Sequence, residues 1–398
     1  MRIALVNNFF PPRPTGSSHL TDELARIFTA EGHDVVVVTA SYGDAPDVET
    51  IHGGAVVHRL PAWRLPESRL AFDYDIRFTL PARNHKRFRR ILDDFGPDVI
   101  HQHGQFFDLA FLSAWYARKR CVPHLTSVHA RLEHDNAIVG GVFAAVDRSV
   151  IRGAINWARS HVVVMDKRME EYISRRYRTD QSRLVYIPVG IDVGRFDPSA
   201  APDLPDVRSI HRLDDRPVLL SLGHITPFRN RVAVVRTVAA LKERGIDFQC
   251  VIVGGEHDSK FREEAERLGV LDDLILTGAV PKEQITAFLA IARIEMHDLQ
   301  QEGFGTASLE ALAAGVPVIT DIDPDNFPTI PIESGHQMVL VPPGNGQRLI
   351  DEVAALMSDP DRRRELGASG REWVRRHFAI EQVARQHLKA YESVLQTR

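Results

Sequence analysis

The sequence predicts two α/β domains of the doubly wound type, each a parallel sheet covered by helices. Three features carry that prediction. Short Val- and Ile-rich runs lack polar alternation, amphipathic stretches separate them, and a Pro-rich break falls near the middle of the 398 residues. Strands of a parallel sheet are covered on both faces, so they read as continuous apolar runs.

In the first half these runs are residues 3–6, 35–39, 99–101 and 162–165. Between the first two, Leu20, Leu24, Ile27 and Phe28 fall at helical spacing, and Gly32 ends that helix. The loop 10–19 joins strand to helix, with Ser17 or Ser18 as candidate cap. Residues 83–90 form a basic run on a predicted helix, with Phe88, Ile91 and Leu92 available to pack. A solvated helix face explains it; the functional alternative is a weak peripheral contact with anionic lipid or a phosphorylated acceptor. Residues 197–205 hold three prolines and small residues, as an exposed connection would. The N-terminal domain is therefore 1–197 and the C-terminal domain 206–379. There the pattern restarts at 218–223 and continues through a helix with Val232, Val235, Val238 and Leu241 in one stripe. Strands follow at 250–253, 274–276 and 318–320. The last helix, 380–398, carries Val383, His387, Tyr391 and Val394 on one face; lacking its own core, it packs back on the N-terminal domain. Two such sheets leave their carboxyl ends to bind ligand, so the site is expected in a cleft between the halves.

Composition excludes several functions. Lys plus Arg number 49 against 53 Asp plus Glu, a net charge of −4, so no basic field awaits nucleic acid. Hydrophobic residues make up 44% and charged residues 26%, which excludes global disorder. Cys121 and Cys250 are the only cysteines, too few for a disulfide scaffold or a zinc knuckle. No apolar run reaches a membrane span or a signal-peptide core, and the sequence reads as cytoplasmic.

The sharpest chemical signal is Glu302-Gly303-Phe304-Gly305-Thr306, leading through a helix to Glu310 and ending at Gly315 and Pro317. A strand ending near His297 feeds this loop. Glycines let backbone amides approach a ligand, and amides at a helix start favour a diphosphate. Two carboxylates flanking such a nest accept hydrogen bonds from sugar hydroxyls. The Gly-Phe-Gly insert has no evident packing purpose, which favours a binding role. The alternative is a charged loop residue and a surface helix carboxylate.

This run resembles the Glu-x7-Glu motif of retaining glycosyltransferases of family 4, which have the GT-B fold of two Rossmann-like domains facing across a cleft. The likeness spans nearly the whole chain. It implies that Glu302 and residues Gly303, Phe304, Gly305 and Thr306 contact donor sugar and diphosphate, and that Glu310 contacts the ribose. The family usually has an arginine and a lysine after the first strand of the second domain; here Arg229 matches the lysine and His224 replaces the arginine. An arginine is a permanent cation and a histidine is not, so leaving-group stabilisation is expected to be weaker unless Arg231 substitutes. In the N-terminal loop only Gly16 of the family's glycine pair is kept, as a donor contact. His129 matches the histidine beside the donor sugar. His101 and His103 end the preceding strand on the same rim, and as a structural alternative are core histidines. Gly278, Ala279 and Val280 match a main-chain contact to the base. His124, His129 and His134 form no recognisable metal site, and no Asp-x-Asp motif occurs.

The expected reaction is transfer of a sugar from a nucleoside diphosphate sugar to an acceptor hydroxyl on a sugar, lipid or small molecule. The resemblance implies retention at the anomeric carbon, with neither metal nor cofactor. A peripheral position at the inner membrane face follows if the basic helix binds lipid. The alternatives are a sugar-nucleotide epimerase or hydrolase of the same fold, or a noncatalytic sugar-nucleotide-binding subunit. A nicotinamide-dependent dehydrogenase ranks last, since the first loop lacks Gly-x-Gly-x-x-Gly.

Overall fold

The structure, a computed structural model, describes residues 1–398 except 14, 65–76, 133–136, 199–202, 227–228, 297–298, 300–303 and 397–398. The chain divides into two compact units, residues 1–190 with 380–398, and residues 191–379.

The first unit runs β1 (Arg2–Asn7), α1 (Gly16–Ala30), β2 (Asp34–Ala40), β3 (Val48–Ile51), β4 (Ala55–Leu60) and a ribbon of β5 (Trp63–Arg64) and β6 (Arg77–Phe78). It continues with α2 (Ala82–Phe95), β7 (Val99–His103), α3 (Asp108–Arg120), β8 (His124–Ser127), α4 (Ala137–Val146), a π-helical turn Asp147–Ile151 and α5 (Arg152–Trp157). After these come β9 (His161–Val164), α6 (Lys167–Tyr177) and β10 (Leu184–Tyr186). Eight strands form one sheet in the order β10-β9-β8-β7-β1-β2-β4-β3, parallel except for the β3–β4 pair. Side-chain alternation explains why the strands read as unbroken apolar runs. Ile3, Leu5, Val35 and Val37 point into one core with α1 and the C-terminal helix Ile380–Gln396. Ala4, Val6, Val36 and Val38 point into another with Phe88, Ile91, Leu92 and Tyr116 of α2 and α3.

Gly190 is where the C-terminal helix crosses the chain: a Cβ there would sit 2.6 Å from Ile380 Cδ1. The division between units lies at 190/191 rather than at the Pro-rich stretch 197–205. Residues 191–197 pack with the second unit because Ile191 bridges Ala379, Arg195 O accepts from Thr286 Oγ1 and Asp197 pairs with Arg371.

The second unit contains α7 (Val207–His211), β11 (Val218–Leu222), α8 (Arg231–Glu243), β12 (Gln249–Val253), α9 (Lys260–Arg267), β13 (Leu274–Gly278), α10 (Lys282–Ile291) and β14 (Ala292–Glu295). Then follow α11 (Thr306–Ala313), β15 (Ile319–Thr320), β16 (Val339–Leu340), α12 (Gly346–Ser358) and α13 (Pro360–His377). The main sheet is parallel, in the order β13-β12-β11-β14. Its core joins Leu219, Ile252 and Ile294 to Val234, Val235, Val238 and Leu241 of α8. The buried stripe of α8 therefore includes Val234, while Val232 is only half-buried.

Candidate active site

The carboxyl ends of β11, β12 and β13 are built from main chain. Gly223 N donates to Val253 O at 2.7 Å, and Gly254 N to Gly278 O at 2.9 Å. Gly254 has φ +149°, and a Cβ there would lie 2.4 Å from Gly223 O. No other residue fits, because side chain and neighbouring carbonyl would overlap. Gly278 is also left-handed, at φ +70°, but a Cβ there meets nothing within 4 Å. Ala279 is exposed and Val280 half-buried just beyond it. These strand ends thus present half-buried backbone with little side-chain bulk.

His224 stands at this edge. It is exposed, and its Nδ1 accepts the Gly255 N–H at 2.9 Å. That bond holds the β11 and β12 loops together and leaves Nε2 as the hydrogen-bearing nitrogen of the neutral ring. Arg229 is half-buried in the turn before α8, its N–H bonded to Thr226 O at 3.0 Å. Asn230 caps α8 by accepting from Ala233 N and donates to Leu299 O at 3.3 Å. This ties the Arg229 turn to the segment entering the Glu302 loop. Arg231 is not the substitute cation: it is 2% exposed and donates to Ser221 Oγ and to the carbonyls of Leu222 and Gly223. Its guanidinium braces the β11 turn from below.

Glu302, Gly303 and His297 lie outside the described residues. Beyond them, α11 begins at Thr306 as expected, with Gly305 as its N-cap and no side chain capping it. Glu310 is half-buried, one turn into the helix. Ser308 Oγ donates to the buried carboxylate of Glu295 at 3.4 Å, which fixes α11 over β14. From the other side α13 approaches through glycines: a Cβ on Gly367 would lie 2.1 Å from Gly315 O, and one on Gly370 would lie 2.7 Å from Leu312 Cδ2.

One expectation needs correction here. Phe304 has a packing purpose after all: its ring lies 5.0 Å from Phe327, 5.5 Å from Trp373 and 5.8 Å from Phe378, centroid to centroid. The side chain anchors the loop in an aromatic cluster, so any ligand contact falls to its backbone. Those partners lie far along the chain, and nothing local in the motif announces them.

In the first unit, Gly16 opens α1, and a Cβ there would meet nothing within 4 Å. Thr15, rather than Ser17 or Ser18, caps that helix by accepting from Ser18 N. His129 is half-buried beyond β8, and its Nε2 lies 3.2 Å from His103 Nδ1 with the rings stacked. Burial pushes its pKa down to about 4, so the ring is neutral at physiological pH. His101 is a core residue rather than a rim residue: fully buried, it bonds Tyr391 OH at 2.6 Å and Ser127 Oγ at 2.8 Å. His387 of the C-terminal helix packs against it at a tilt, ring centroids 5.0 Å apart. His124 spans Ser160 and Ser113, with its pKa pushed by burial to about 3.

Two features of this unit are absent from the sequence motifs. A cavity of about 320 Å³ is lined by Arg131, Arg148, Arg168, Arg175 and Arg176 over Tyr172, with Glu171 the single carboxylate among the described lining residues. Arg131 follows His129 by two residues. An apolar groove of about 620 Å³ runs between α2, α3 and α5. Residues scattered over dozens of positions line both, which is why spacing did not reveal them.

Comparison with known proteins gives the chemistry a class. Residues 14–195 match the model of Glycosyltransferase Family 4, and residues 205–373 match that of Glycosyl transferases group 1. The two matches span most of the chain, which belongs to this glycosyltransferase family and has the GT-B fold. A GDP-mannose-dependent alpha-(1-6)-phosphatidylinositol monomannoside mannosyltransferase of Mycobacterium tuberculosis is 29% identical over 392 residues, covering 94% of this chain and 93% of its own. A phosphatidyl-myo-inositol mannosyltransferase of Mycobacterium leprae is 26% identical, covering 99% and 97%. Among solved structures, sucrose-phosphate synthase of Thermosynechococcus elongatus superposes with a TM-score of 0.75 at 22% identity, with both chains covered fully. Anabaena HepE in complex with UDP-glucose superposes at 0.71 with 14% identity, over 99% of this chain and 100% of its own.

Proposed function

We propose that this glycosyltransferase moves a hexosyl group, with retention, from a nucleoside diphosphate sugar to a hydroxyl on an anionic lipid headgroup. The observation that carries the donor half lies in the second unit. Bare glycine strand ends, the Arg229 turn and the start of α11 with Glu310 are tied together by the Asn230–Leu299 and Ser308–Glu295 hydrogen bonds. Base and ribose lie along Gly278, Ala279, Val280 and Glu310. The diphosphate meets the amides of residues 303–306 and the Arg229 cation, and Glu302 orients the transferred sugar. As the bond from the anomeric carbon to phosphate breaks, its electron pair goes to the diphosphate. That growing charge is what fixed amides and a guanidinium stabilise.

The acceptor half is proposed for the first unit. The arginine cavity beside the His129 loop suits an anionic headgroup, and relatives of similar length are named for phosphatidylinositol acceptors. The acceptor oxygen attacks from the face that the leaving group vacates, and its proton passes to a departing phosphate oxygen. His129, neutral, hydrogen-bonds the sugar rather than carrying charge. No metal or cofactor is assigned a role. No helix among the described residues is long and apolar enough to cross a membrane, and we place the enzyme at the cytoplasmic membrane face as a peripheral protein.

The test is incubation with GDP-, UDP-, ADP- and dTDP-sugars, with and without phosphatidylinositol in detergent. Product formation only with acceptor, unaffected by a chelator and α-configured by NMR from an α-donor, is expected. Donor consumption without acceptor would point instead to hydrolysis or epimerisation.

A further inference from the structure

Two histidines of β7 stand between the C-terminal helix and His129, and their contacts decide where the hydrogen of His129 sits. His101 and His103 are two residues apart on a strand, so their side chains leave the sheet on one face. It is the face of Val99, which packs in the core shared with the C-terminal helix. Tyr391 OH bonds His101 Nδ1 and Ser127 Oγ bonds its Nε2, so both nitrogens of that ring are engaged. His103 packs on it with centroids 4.1 Å apart and is itself fully buried at the end of the strand. The ring that meets His129 is therefore held from inside the core.

His103 Nδ1 lies 3.2 Å from His129 Nε2. The offset of these parallel rings, with 8° between planes and 5.4 Å between centroids, brings nitrogen to nitrogen. Both rings are neutral at physiological pH. Burial, and then the neighbouring His129 and His387, hold His103 well below the ordinary imidazole value, and His129 sits at about 4. A neutral imidazole carries one hydrogen, so one nitrogen of the pair donates and the other accepts. The far side of His103 decides which. Its Nε2 is buried with no hydrogen-bond partner among the described residues. Were His129 the donor, the hydrogen of His103 would sit on that nitrogen as a buried N–H without an acceptor. Such N–H groups are rarer in folded proteins than buried acceptors without a donor. His103 thus donates from Nδ1 and keeps Nε2 bare, and His129 carries its own hydrogen on Nδ1. His129 is half-buried, and no hydrogen bond engages its Nδ1 among the described residues.

We infer that His103 is a positioning residue that locks His129 as the Nδ1–H tautomer, so that His129 donates to an oxygen of the transferred sugar instead of accepting from a hydroxyl. The inference deepens the proposed transfer reaction and rests on it for the sugar, whereas the tautomer belongs to the protein alone. It also sets a specificity. The sugar group beside His129 has to accept, which fluorine in place of a hydroxyl still does and hydrogen does not.

The experiment labels the full chain with 15N-histidine and reads it at neutral pH by long-range 1H–15N correlation, which separates hydrogen-bearing from bare ring nitrogens. His129→Leu assigns the resonances. In the parent protein His129 should show hydrogen on Nδ1 and a bare Nε2, a result that needs no substitution. His103→Leu removes the donor, and His129 should relax toward the Nε2–H form that free neutral imidazole prefers. His103→Asn keeps an N–H in place of Nδ1 and should restore the parent pattern, and His387→Leu should leave it unchanged. In turnover, kcat should fall about tenfold in His103→Leu and return to within about twofold in His103→Asn. Affinity for the nucleoside diphosphate alone should stay that of the parent. Among monodeoxy and deoxyfluoro sugar nucleotides, one position should favour fluorine over hydrogen in the parent and lose that preference in His103→Leu.

Hydrogen on Nε2 of His129 in the parent, a pattern that His103→Leu leaves unchanged, or one that His387→Leu alone reverses would each overturn the inference. Equal losses with deoxy and fluoro sugars at every position would overturn the direction of the sugar contact. If the tautomer depends on His103 as described but no sugar nucleotide is turned over, the transfer reading fails and the lock stands.

Discussion

At the carboxyl edge of its sheet the second unit offers backbone, with Gly223, Gly254 and Gly278 side by side. The first unit offers imidazole there, with His103 and His129 backed by buried His101 and by His387 from the C-terminal helix. The backbone edge presents fixed N–H and C=O dipoles, and at Gly254 it leaves no room for a single methyl group. The imidazole edge tolerates changes of shape better, but it depends on every ring staying neutral. If the proposed donor site is right, donor recognition rests on the rigid edge, and the unit proposed for the acceptor carries the edge that protons can disturb.

The largest effect should come from Gly254→Ala. Its Cβ would overlap Gly223 O, so we expect a loss of about 3 kcal/mol or more, read by thermal denaturation, together with loss of nucleotide binding. Gly278→Ala, with the same kind of positive φ but open space, should cost only about 1 kcal/mol. Similar losses for the two would erase the steric distinction.

Acid should act on the buried histidines of the first unit. Burial holds His124 and His387 to about 3 and His129 to about 4, below the unfolded value of about 6.5. Between these limits the unfolded chain binds the extra protons. Stability from this source is therefore complete above pH 6.5 and falls as pH drops toward 4. By pH 5 each ring accounts for about 2 kcal/mol. Melting at pH 7 and pH 5 should show the first unit weakening first, and equal weakening of both would contradict the assignment.

Phe304→Ala removes the aromatic anchor of the motif loop and should destabilise the second unit by about 2 kcal/mol. It should also weaken donor binding, whereas Phe304→Leu should recover most of both. The smallest effect is expected from His224→Ala. It removes one exposed hydrogen bond to Gly255 and should cost about 1 kcal/mol or less.

Much of this organisation was legible in the sequence. The apolar runs at 3–6, 35–39 and 250–253 are strands, and Thr306 starts a helix that Gly315 ends, because these signals are local. Long-range partners were not legible. Phe304 reads as part of a ligand loop until Phe327, Trp373 and Phe378 are seen around it. His387 reads as one more helix-face residue, and the five arginines of the cationic cavity are spread from 131 to 176. The packing of α11 on α13 depends on Gly367 and Gly370, whose meaning appears only beside Gly315. Residues 191–197 read as the end of the N-terminal domain, yet their bonds to Thr286, Arg371 and Ala379 belong to the second unit.

The central claim is that the second unit holds the donor through the start of α11 and the two carboxylates around it. Isothermal titration of GDP, UDP and their sugars into the parent protein, Glu310→Ala and Glu302→Ala tests it directly. We predict micromolar binding by the parent and at least about a tenfold loss for Glu310→Ala toward both nucleotide and nucleotide sugar. For Glu302→Ala the loss should be confined to the sugar nucleotide. Unchanged affinity in both variants would contradict the account.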